Sequence, residues 1–343
     1  MKKVVFSPEW ARHSATWLAW PHDAESFPDR IPAIEREYVR MIGALAKSET
    51  VKLIVRRLQK KEVVEKLATG KVRMTNVELY EADYADVWIR DWGPTFVNAA
   101  SQQAFVKWTY NAYGNQFPEL LKDDNVIDQL PALEKFARTD AGFVMEGGAI
   151  EGNGAGTLLT TEECLLNINR NAGMPREHLE GRFAELLGTQ KVIWLKRGIL
   201  NDHTNGHVDE IARFVAPDTI LYAWTEYGEN HDIMRENREV LEQATDSNGR
   251  PFKLIPLPLP KLKYDWGEQA PASYCNFYIA NTIVFVPEFG HENDEVAKAI
   301  LRAAFPERTI LGIDSTDLIY GGGSVHCITQ QEPDFSAVAR ASA

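Results

Sequence analysis

Residues 274–313 read YCNFYIANTIVFVPEFGHENDEVAKAILRAAFPERTILGI. Two short apolar runs, Tyr274 to Ile279 and Thr282 to Val286, flank a tight turn and predict a β-hairpin. Asn293 to Ala304 follows with apolar residues at helical spacing, and Thr309 to Ile313 is again short and apolar. The stretch therefore predicts a hairpin, a helix and a returning strand, which together form one α/β unit.

The same order of elements recurs along the rest of the chain. Three further hairpins begin at Val87, Gly148 and Val208, and a helical stretch and a strand follow each of them. The helical stretches predicted in these units are 119–137, 175–187 and 232–243, and the strands after them are 143–145, 191–195 and 252–257.

The two ends of the chain predict a fifth unit. Residues 321–330 form one predicted strand, and the N-terminal segment supplies the strand 15–20, the helix 31–47 and the strands 51–55 and 77–80. Five such units predict an α/β fold of the closed, five-fold pseudo-symmetric propeller type. A doubly wound or irregular α/β fold is the alternative.

The composition is that of a soluble globular protein, with 44% hydrophobic and 25% charged residues. No apolar run is long enough to cross a bilayer, and the N-terminus lacks the apolar core of a signal peptide, which predicts a cytoplasmic location. The net charge of −12 disfavours nucleic acid and anionic membranes as partners and is compatible with a cationic substrate. The three cysteines form no C-x-x-C pair, which argues against a disulfide framework and a thiolate zinc site.

The segment Tyr320 to Gln331, YGGGSVHCITQQ, places a thiol beside three consecutive glycines. Glycine allows positive φ angles and lets a ligand approach the backbone closely. The segment therefore predicts a nucleophile, Cys327, beside a glycine-lined cavity that includes Gly323. A cysteine that only fills space in a buried strand is the alternative, and the rest of the chain favours the nucleophile.

Polar residues stand at the entrance of each predicted unit, namely Asp91, Glu146, His207 with Asp209, Asn276 and Cys327. In a closed pseudo-symmetric fold these positions converge on the axis, so a thiol, an imidazole and three carboxylates would share one pocket. Two carboxylates can hold a planar guanidinium from two sides. A thiolate can then attack the central carbon, while a histidine protonates the departing ammonia and activates water.

Several of these residues also have a structural interpretation. Asp91 could cap a turn, and Glu146 could serve as a plain acceptor or orient His207. His207 and Asp209 are expected to alternate along one face of a strand. His203 and His207 lie four residues apart, but the Asn-Gly pair between them breaks a helix, so no metal site is predicted.

The remaining histidine and cysteines near these segments are predicted to be structural. His326 adjoins Cys327 and should point to the opposite face, where it would pack in the core. Cys164 and Cys275 lie in apolar contexts typical of strands. They are predicted to be inert.

Together these segments resemble the agmatine deiminase and bacterial-type peptidylarginine deiminase family of guanidine-modifying enzymes. The matching stretches are Trp17 to His22, Trp88 to Phe96, Glu146 to Gly148, Thr161 to Asn171, Thr204 to Asp209 and Gly321 to Pro333. The resemblance spans nearly the whole chain. It implies the pentein fold, which is a five-fold α/β propeller, with residues 1–343 as a single catalytic domain. It also implies that neither a metal nor an organic cofactor is needed, and it suggests a homodimer.

The resemblance implies a role for each catalytic residue. Cys327 would be the nucleophile and His207 the general acid and base. Glu146 would be the carboxylate beside that histidine. Asp91 and Asp209 would bind the guanidinium group.

Further residues would form the substrate-binding surface. The resemblance implies that Trp88 packs along the aliphatic chain of the substrate. Asp86 lies near the mouth and suits an amine, and Gly323 borders the nucleophile. Trp92 and Ser324 depart from relatives that act on agmatine, in which a smaller polar residue and an asparagine are frequent.

The leading hypothesis is hydrolysis of agmatine to N-carbamoylputrescine and ammonia. Agmatine ends in an amine, which suits carboxylates and aromatic faces, whereas free arginine calls for a cationic clamp on its carboxylate. Arg90 could supply that clamp, but it should point away from the face of Asp91. The alternatives are deimination of free or peptidyl arginine and a guanidine-binding protein without activity. In an enzyme, His207 as an imidazolium, or the cationic substrate, should favour ionisation of Cys327.

Overall fold

The computed structural model describes residues 4–99 and 102–335. These residues form five separate β-sheets of three or four strands with helices in the connections, so the predicted α/β class is confirmed. The strands are Val4–Val5, His13–Ala19, Thr50–Val55, Val77–Glu81, Thr95–Ala99, Gln102–Thr109, Ala137–Val144, Glu151–Gly152, Thr157–Thr161, Lys191–Leu195, Ala212–Ala216, Thr219–Trp224, Lys253–Pro258, Tyr278–Ile279, Ile283–Glu288, Thr309–Asp314 and Gln330–Pro333. The α-helices and α-helical turns are Ile31–Leu45, Lys60–Thr69, Ile89–Trp92, Ala112–Asn115, Glu162–Leu165, Ile168–Asn171, Arg176–Leu187, Glu229–Gln243 and Asn293–Ala304. In this described part of the chain, no helix combines the length and the apolar character needed to span a membrane.

The unit at residues 274–313 shows how each sheet is built. Ile283–Glu288 is the central strand, and it pairs antiparallel with Tyr278–Ile279 and parallel with Thr309–Asp314. The helix Asn293–Ala304 connects the two parallel strands and buries Ala297 and Leu301. An antiparallel neighbour can follow a tight turn, whereas a parallel neighbour needs a longer crossover. This difference explains the order of hairpin, helix and strand.

All five sheets contain such an antiparallel pairing followed by a parallel one. The fifth sheet joins the two ends of the chain, because Gln330–Pro333 pairs antiparallel with His13–Ala19, which runs parallel to Thr50–Val55. The prediction that the N-terminal segment completes a fifth unit is therefore confirmed. The pairing anchors the backbone three residues after Cys327.

The apolar core packs against the sheets and extends to the segment that carries the Cys327 thiol. The helix Ile31–Leu45 turns its predicted apolar face inward and buries Ile34, Tyr38, Met41, Ile42 and Leu45. The same apolar cluster includes Trp88, Val325, Cys327 and Ile328. The segment that carries the thiol is thus held by apolar packing on one side.

The prediction that each unit opens with a strand is wrong for the first residues of the units, which form turns. Val87 to Asp91 leads into the helical turn Ile89–Trp92, and single 3₁₀ turns occupy Gly147–Ala149, Val208–Glu210 and Tyr274–Asn276. Residues 321–329 also lack a strand, which begins only at Gln330. In a strand successive side chains alternate between two faces, whereas these turns break that alternation. The turns therefore decide which groups meet at the site.

The helix predicted at 119–137 is also wrong. The segment forms three 3₁₀ turns, Pro118–Asn125, Ile127–Gln129 and Pro131–Leu133, and the next strand begins already at Ala137. Pro131 lacks the N–H that an α-helix would need at that position. The Asp123 carboxylate accepts hydrogen bonds from the backbone N–H groups of residues 85 and 86, which ties the segment to the start of the site.

Candidate active site

A cleft of about 260 Å³ reaches Cys327 from the protein surface. Its lining residues are Asp23, Glu25, Ser26, Asp86, Trp88, Asp91, Tyr113, Phe117, Glu119, Leu120, His203, Thr204, Tyr320, Gly321, Gly322, Gly323 and Cys327. Five of these residues are carboxylic acids, and none of the described lining residues is a lysine or an arginine. Such a lining favours a cationic ligand with an apolar middle section.

The Cys327 thiol lies at the buried end of the cleft. Asn276 Nδ2 donates a hydrogen bond to Cys327 Sγ at 3.1 Å, and Sγ lies 3.9 Å from Asp209 Oδ2 and 3.8 Å from Glu210 Oε1. Burial, followed by the charges of Asp209, Glu210 and Asp91, raises the pKa of Cys327 well above its usual value. The sulfur of the free protein is therefore a thiol, and His207 by itself does not ionise it.

The glycine run and Trp88 form one wall of the cleft. A Cβ atom added at Gly323 would lie 2.8 Å from the Trp88 ring and 3.1 Å from Cys327 Sγ, so only glycine fits there. Trp88 Nε1 donates a hydrogen bond to Asp86 Oδ2 at 2.8 Å, and Ser26 Oγ donates to the same oxygen at 2.8 Å. Burial raises the pKa of Asp86 to about 7. Trp88, Asp86 and Gly323 thus line the cleft that leads to Cys327.

Asp91 faces the cleft from the helical turn of the first unit. Its Oδ1 accepts a hydrogen bond from the Gly148 backbone N–H at 2.9 Å, and its Oδ2 accepts one from the Tyr113 hydroxyl at 2.8 Å. Burial raises the pKa of Asp91 to about 6 against the opposing charge of His207. A Cβ atom at Gly148 would lie 2.6 Å from His207 Nδ1 and 2.8 Å from Asp91 Oδ1, so glycine is required for this approach.

His207 is buried between two carboxylates and has no hydrogen bond from either ring nitrogen within the described residues. Its Nδ1 lies 3.6 Å from Asp91 Oδ1, and its Nε2 lies 3.9 Å from Glu146 Oε2. Glu146 is fixed from its other oxygen, since Arg170 Nε donates to Oε1 at 2.7 Å. Burial lowers the pKa of His207, but the charge of Asp91 and the neighbouring Cys164 and Glu146 raise it well above its usual value. His207 is therefore an imidazolium that is free to donate a proton.

Asp209 and Glu210 are adjacent buried acids with opposite protonation states. His326 Nδ1 donates a hydrogen bond to Asp209 Oδ2 at 2.7 Å, whereas Asp209 Oδ1 has no partner among the described side chains and backbone groups. Burial raises the pKa of Asp209, but His326, through its hydrogen bond and charge, brings it below its usual value. Burial and the charge of Asp209 raise the pKa of Glu210 well above its usual value. Asp209 is thus a carboxylate and Glu210 a neutral acid.

Comparison with known proteins shows the family of the chain. The model of the Porphyromonas-type peptidyl-arginine deiminase family matches residues 5–333. The chain belongs to this family. An agmatine deiminase of Ectopseudomonas mendocina (strain ymp) is 36% identical over an alignment of 352 positions, which covers 95% of this chain and 94% of that protein.

Two solved structures of similar proteins have the same fold over their whole length. The agmatine deiminase of Enterococcus faecalis, captured while catalysing its reaction, is 31% identical with a TM-score of 0.87, and the match covers 97% of this chain and 96% of that one. An agmatine deiminase of C. jejuni with substrate bound is 28% identical with a TM-score of 0.84, and the match covers 97% of each chain. The family fold thus extends over nearly all of this chain.

The structure brings together the five residues predicted to carry the chemistry, which are Asp91, Glu146, His207, Asp209 and Cys327. The prediction that His326 merely packs in the core is wrong. Its ring lies between Asp209 and Glu9 with hydrogen bonds of 2.7 and 2.8 Å, because the turn at residues 325–328 does not alternate as a strand would.

Sequence reasoning missed four polar residues of the site, namely Glu9, Tyr113, Arg170 and Glu210. Glu210 directly follows Asp209, and Arg170 lies in one of the matching stretches, so both could have been noticed. Tyr113 reaches Asp91 only because its turn, Ala112–Asn115, has positive φ angles, +56° at Tyr113 itself. Glu9 gave no local signal, since its contacts come from distant segments.

Two groups of ligand atoms in the site could hold a metal ion. Glu146, Cys164 and His207 form one group, and Asp209, Glu210 and Cys327 form the other, with the atoms of each group within 4.8 Å of one another. Thiol, imidazole and carboxylate are the donor types that Zn²⁺ accepts in proteins. These atoms are also the ones that face a guanidinium, so such an ion would compete with it. Cys164, which was predicted to be inert, lies beside His207. Burial is the main reason why the pKa of its thiol is raised.

Proposed function

We propose that this chain hydrolyses agmatine to N-carbamoylputrescine and ammonia. The observation that carries the proposal is the acidic lining of the cleft that ends at Cys327, without any lysine or arginine among its described residues. Agmatine is a dication, whereas arginine carries a carboxylate that needs a cationic partner. Arg90 does not supply one, because its Nη1 donates to Gln331 Oε1 at 2.7 Å on the side away from the cleft. The relatives that are named agmatine deiminases support the same substrate.

In the first half of the proposed reaction, the guanidinium lies between Asp91 and Asp209. Its positive charge lowers the pKa of the Cys327 thiol, whose proton passes to solvent. The thiolate attacks the central carbon and forms a C–S bond. His207 then gives its proton to one amino group of the tetrahedral adduct, the C–N bond breaks, and ammonia leaves a cationic thiouronium on the sulfur.

In the second half, the neutral His207 takes a proton from a water molecule that attacks the thiouronium carbon. The hydroxyl proton of the new tetrahedral adduct passes to the sulfur as the C–S bond breaks, so the ureido product leaves and the Cys327 thiol is restored. Glu146 stabilises His207 in its charged form, since Oε2 faces the ring and has no other partner among the described groups. Arg170 holds the opposite oxygen of Glu146 and so fixes the orientation of this carboxylate.

We further infer that the five sheets surround one axis as a five-fold propeller and that the chain forms a single catalytic domain. Each of the five units contributes one group to the site, namely Asp91, Gly148, Asp209, Asn276 and Cys327. These groups touch one another, with Gly148 N–H bonded to Asp91 and Asn276 bonded to Cys327. A homodimer, a cytoplasmic location and independence from cofactors stay predictions.

The experiment measures ammonia and ureido product from agmatine, free arginine and an arginine-containing peptide. We expect turnover of agmatine that disappears in Cys327→Ala. The control is Cys275→Ala, which removes another buried thiol and should retain activity. Turnover of arginine or the peptide in place of agmatine would keep the chemistry and overturn the substrate. If none of the three compounds is hydrolysed, the proposed reaction is wrong.

A further inference from the structure

A buried cluster of charges lies behind the catalytic residues, and the proposed reaction steps do not use it. Glu9 is its centre. Glu9 Oε2 accepts a hydrogen bond from His326 Nε2 at 2.8 Å and lies 3.4 Å from Arg90 Nη2. Glu9 Oε1 accepts one from the Ile279 backbone N–H at 2.8 Å and lies 3.0 Å from Arg213 Nη2. The side chains of Glu9, Arg90, Arg213 and His326 are all at most 5% exposed.

The cluster is linked to the site through sequence neighbours. Arg90 precedes Asp91, and His326 precedes Cys327. In each pair one side chain faces the cleft, whereas the other one points back to Glu9. Glu9 thus ties the segments that carry the nucleophile and a guanidinium-binding carboxylate to one buried point.

His326 is the member of the cluster that touches a catalytic carboxylate. Its Nδ1 donates to Asp209 Oδ2 and its Nε2 donates to Glu9 Oε2. The two carboxylate partners hold the ring from both nitrogens and so fix its orientation. Because His326 occupies Oδ2, only Oδ1 of Asp209 is left free for a ligand.

The groups around Asp209 and His326 determine how the protonation of Asp209 responds to pH. Asp209 is faced by His207, Glu210, Arg213 and Cys327 as well as by His326. His326 is faced in addition by Glu9, Glu151 and Arg90. Burial favours protonation of Asp209, and the adjacent Glu210 is protonated for this reason. Within the described residues, His326 Nδ1 is the donor nearest to the Asp209 carboxylate, at 2.7 Å against 3.9 Å for the Cys327 thiol, so it is the group that keeps the two acids in different states.

We propose that His326, held by Glu9, is a positioning residue that keeps Asp209 a carboxylate and leaves its Oδ1 free to bind the guanidinium. The inference rests on the proposed function, because it assigns the way in which one of the two guanidinium-binding carboxylates is prepared. It separates His326 from the catalytic residues, since its ring does not face the cleft.

The test compares His326→Gln and Glu9→Gln with the wild type. A matched control is Glu332→Gln, which alters another buried, ion-paired carboxylate. Its partners are Ser14, Trp17, Lys52 and Lys135. Thermal melting shows which variants fold. For His326→Gln we expect KM for agmatine to rise about 10- to 100-fold, the range seen when orienting partners of metal ligands are removed. The value of kcat should change much less. The acid limb of kcat/KM should move to higher pH, since Asp209 then takes up a proton more readily.

A binding measurement separates this inference from the proposed reaction. In a Cys327→Ala background, adding His326→Gln should weaken agmatine binding by the same factor and more strongly at pH 6 than at pH 8. A folded His326→Gln variant with wild-type KM and pH profile would overturn the inference. Equal losses in kcat at every pH with unchanged binding would also overturn it, because they indicate a structural role. If the wild type turns over arginine instead, the same comparisons use arginine. If Cys327→Ala binds no guanidine compound at all, the proposed function and this inference both fail.

If His326→Gln does not fold, the Glu9→Gln variant tests the inference, since it leaves the bond from His326 to Asp209 in place and removes the carboxylate that holds the other ring nitrogen. We expect an intermediate rise in KM with the same displacement of the acid limb. An unchanged profile in this variant would overturn the inference.

Discussion

Asn276 Nδ2 lies 3.1 Å from Cys327 Sγ and donates a hydrogen bond to it. The carbonyl oxygen of the same amide accepts hydrogen bonds from the backbone N–H of His326 at 2.9 Å and from Ser324 Oγ at 2.9 Å. These two donors fix the orientation of the amide, so its nitrogen must face the sulfur. The fourth unit of the fold therefore supplies a donor for the charge that develops on the sulfur when the thiol ionises. Ser324 takes part in this orientation.

The first prediction concerns Asn276→Asp. The substitution keeps the shape of the side chain, removes the donor to the sulfur and adds a negative charge beside it. Loss of one donor to a developing anion costs about 10²- to 10³-fold in rate, and we expect a fall in kcat/KM of this size. The rate of iodoacetamide labelling of Cys327 should fall at pH 8, because the pKa of the thiol rises further. Labelling and turnover like those of the wild type would show that the amide does not stabilise the thiolate.

The second prediction concerns the pH dependence of kcat/KM. The pKa of Asp91 in the free protein is raised to about 6. A protonated Asp91 cannot hold a guanidinium as an ion pair, so kcat/KM should fall below pH 6 by about tenfold per pH unit. At high pH the profile should fall again when His207 loses its proton, which gives a bell shape. A flat profile between pH 5 and pH 7 would contradict the assignment of Asp91.

The third prediction concerns Asp86→Asn. The asparagine can still accept from Trp88 Nε1, so the wall of the cleft keeps its shape while one charge is lost. Since the pKa of Asp86 is raised to about 7, the wild-type carboxyl is charged at pH 8 and mostly neutral at pH 6. We therefore expect KM for agmatine to rise about fivefold at pH 8, which corresponds to ~1 kcal/mol of charge attraction, and to change little at pH 6. Butylguanidine, which lacks the amine, serves as the control substrate. An equal effect on both substrates would argue against a contribution of Asp86 to amine recognition.

The fourth prediction concerns Gly148→Ala. The added methyl group would lie 2.6 Å from His207 Nδ1 and 3.0 Å from Asp209 Oδ2, so it would push apart the groups that hold the guanidinium. Since small displacements of reacting groups cost about 10²-fold in rate, we expect a loss of at least this size in kcat/KM.

Gly181→Ala is the matched control for that substitution. Gly181 lies in the helix Arg176–Leu187, and an added Cβ atom would have no neighbour within 4 Å. Replacing a helical glycine by alanine stabilises a protein by about 1 kcal/mol, so this variant should melt slightly higher and keep full activity. Retention of activity in Gly148→Ala would show that the site tolerates a wider spacing.

The sequence by itself determined the class of the fold and the chemical types of the site residues. The alternation of hairpin, helix and strand follows from local apolar periodicity, which does not depend on distant parts of the chain. The residues Asp91, Glu146, His207, Asp209 and Cys327 could be found for a related reason, since each one stands beside a glycine, a turn or a matching stretch.

Only the tertiary structure decided the precise form of the site. The residues that open the units lie in turns and not in strands, so side-chain directions could not be read from a period of two. His326 for this reason faces Asp209 and Glu9, although a strand would have turned it into the core. The protonation states of Asp209 and Glu210 depend on burial and on charges that distant segments bring together, and neither quantity is a property of a local stretch of sequence.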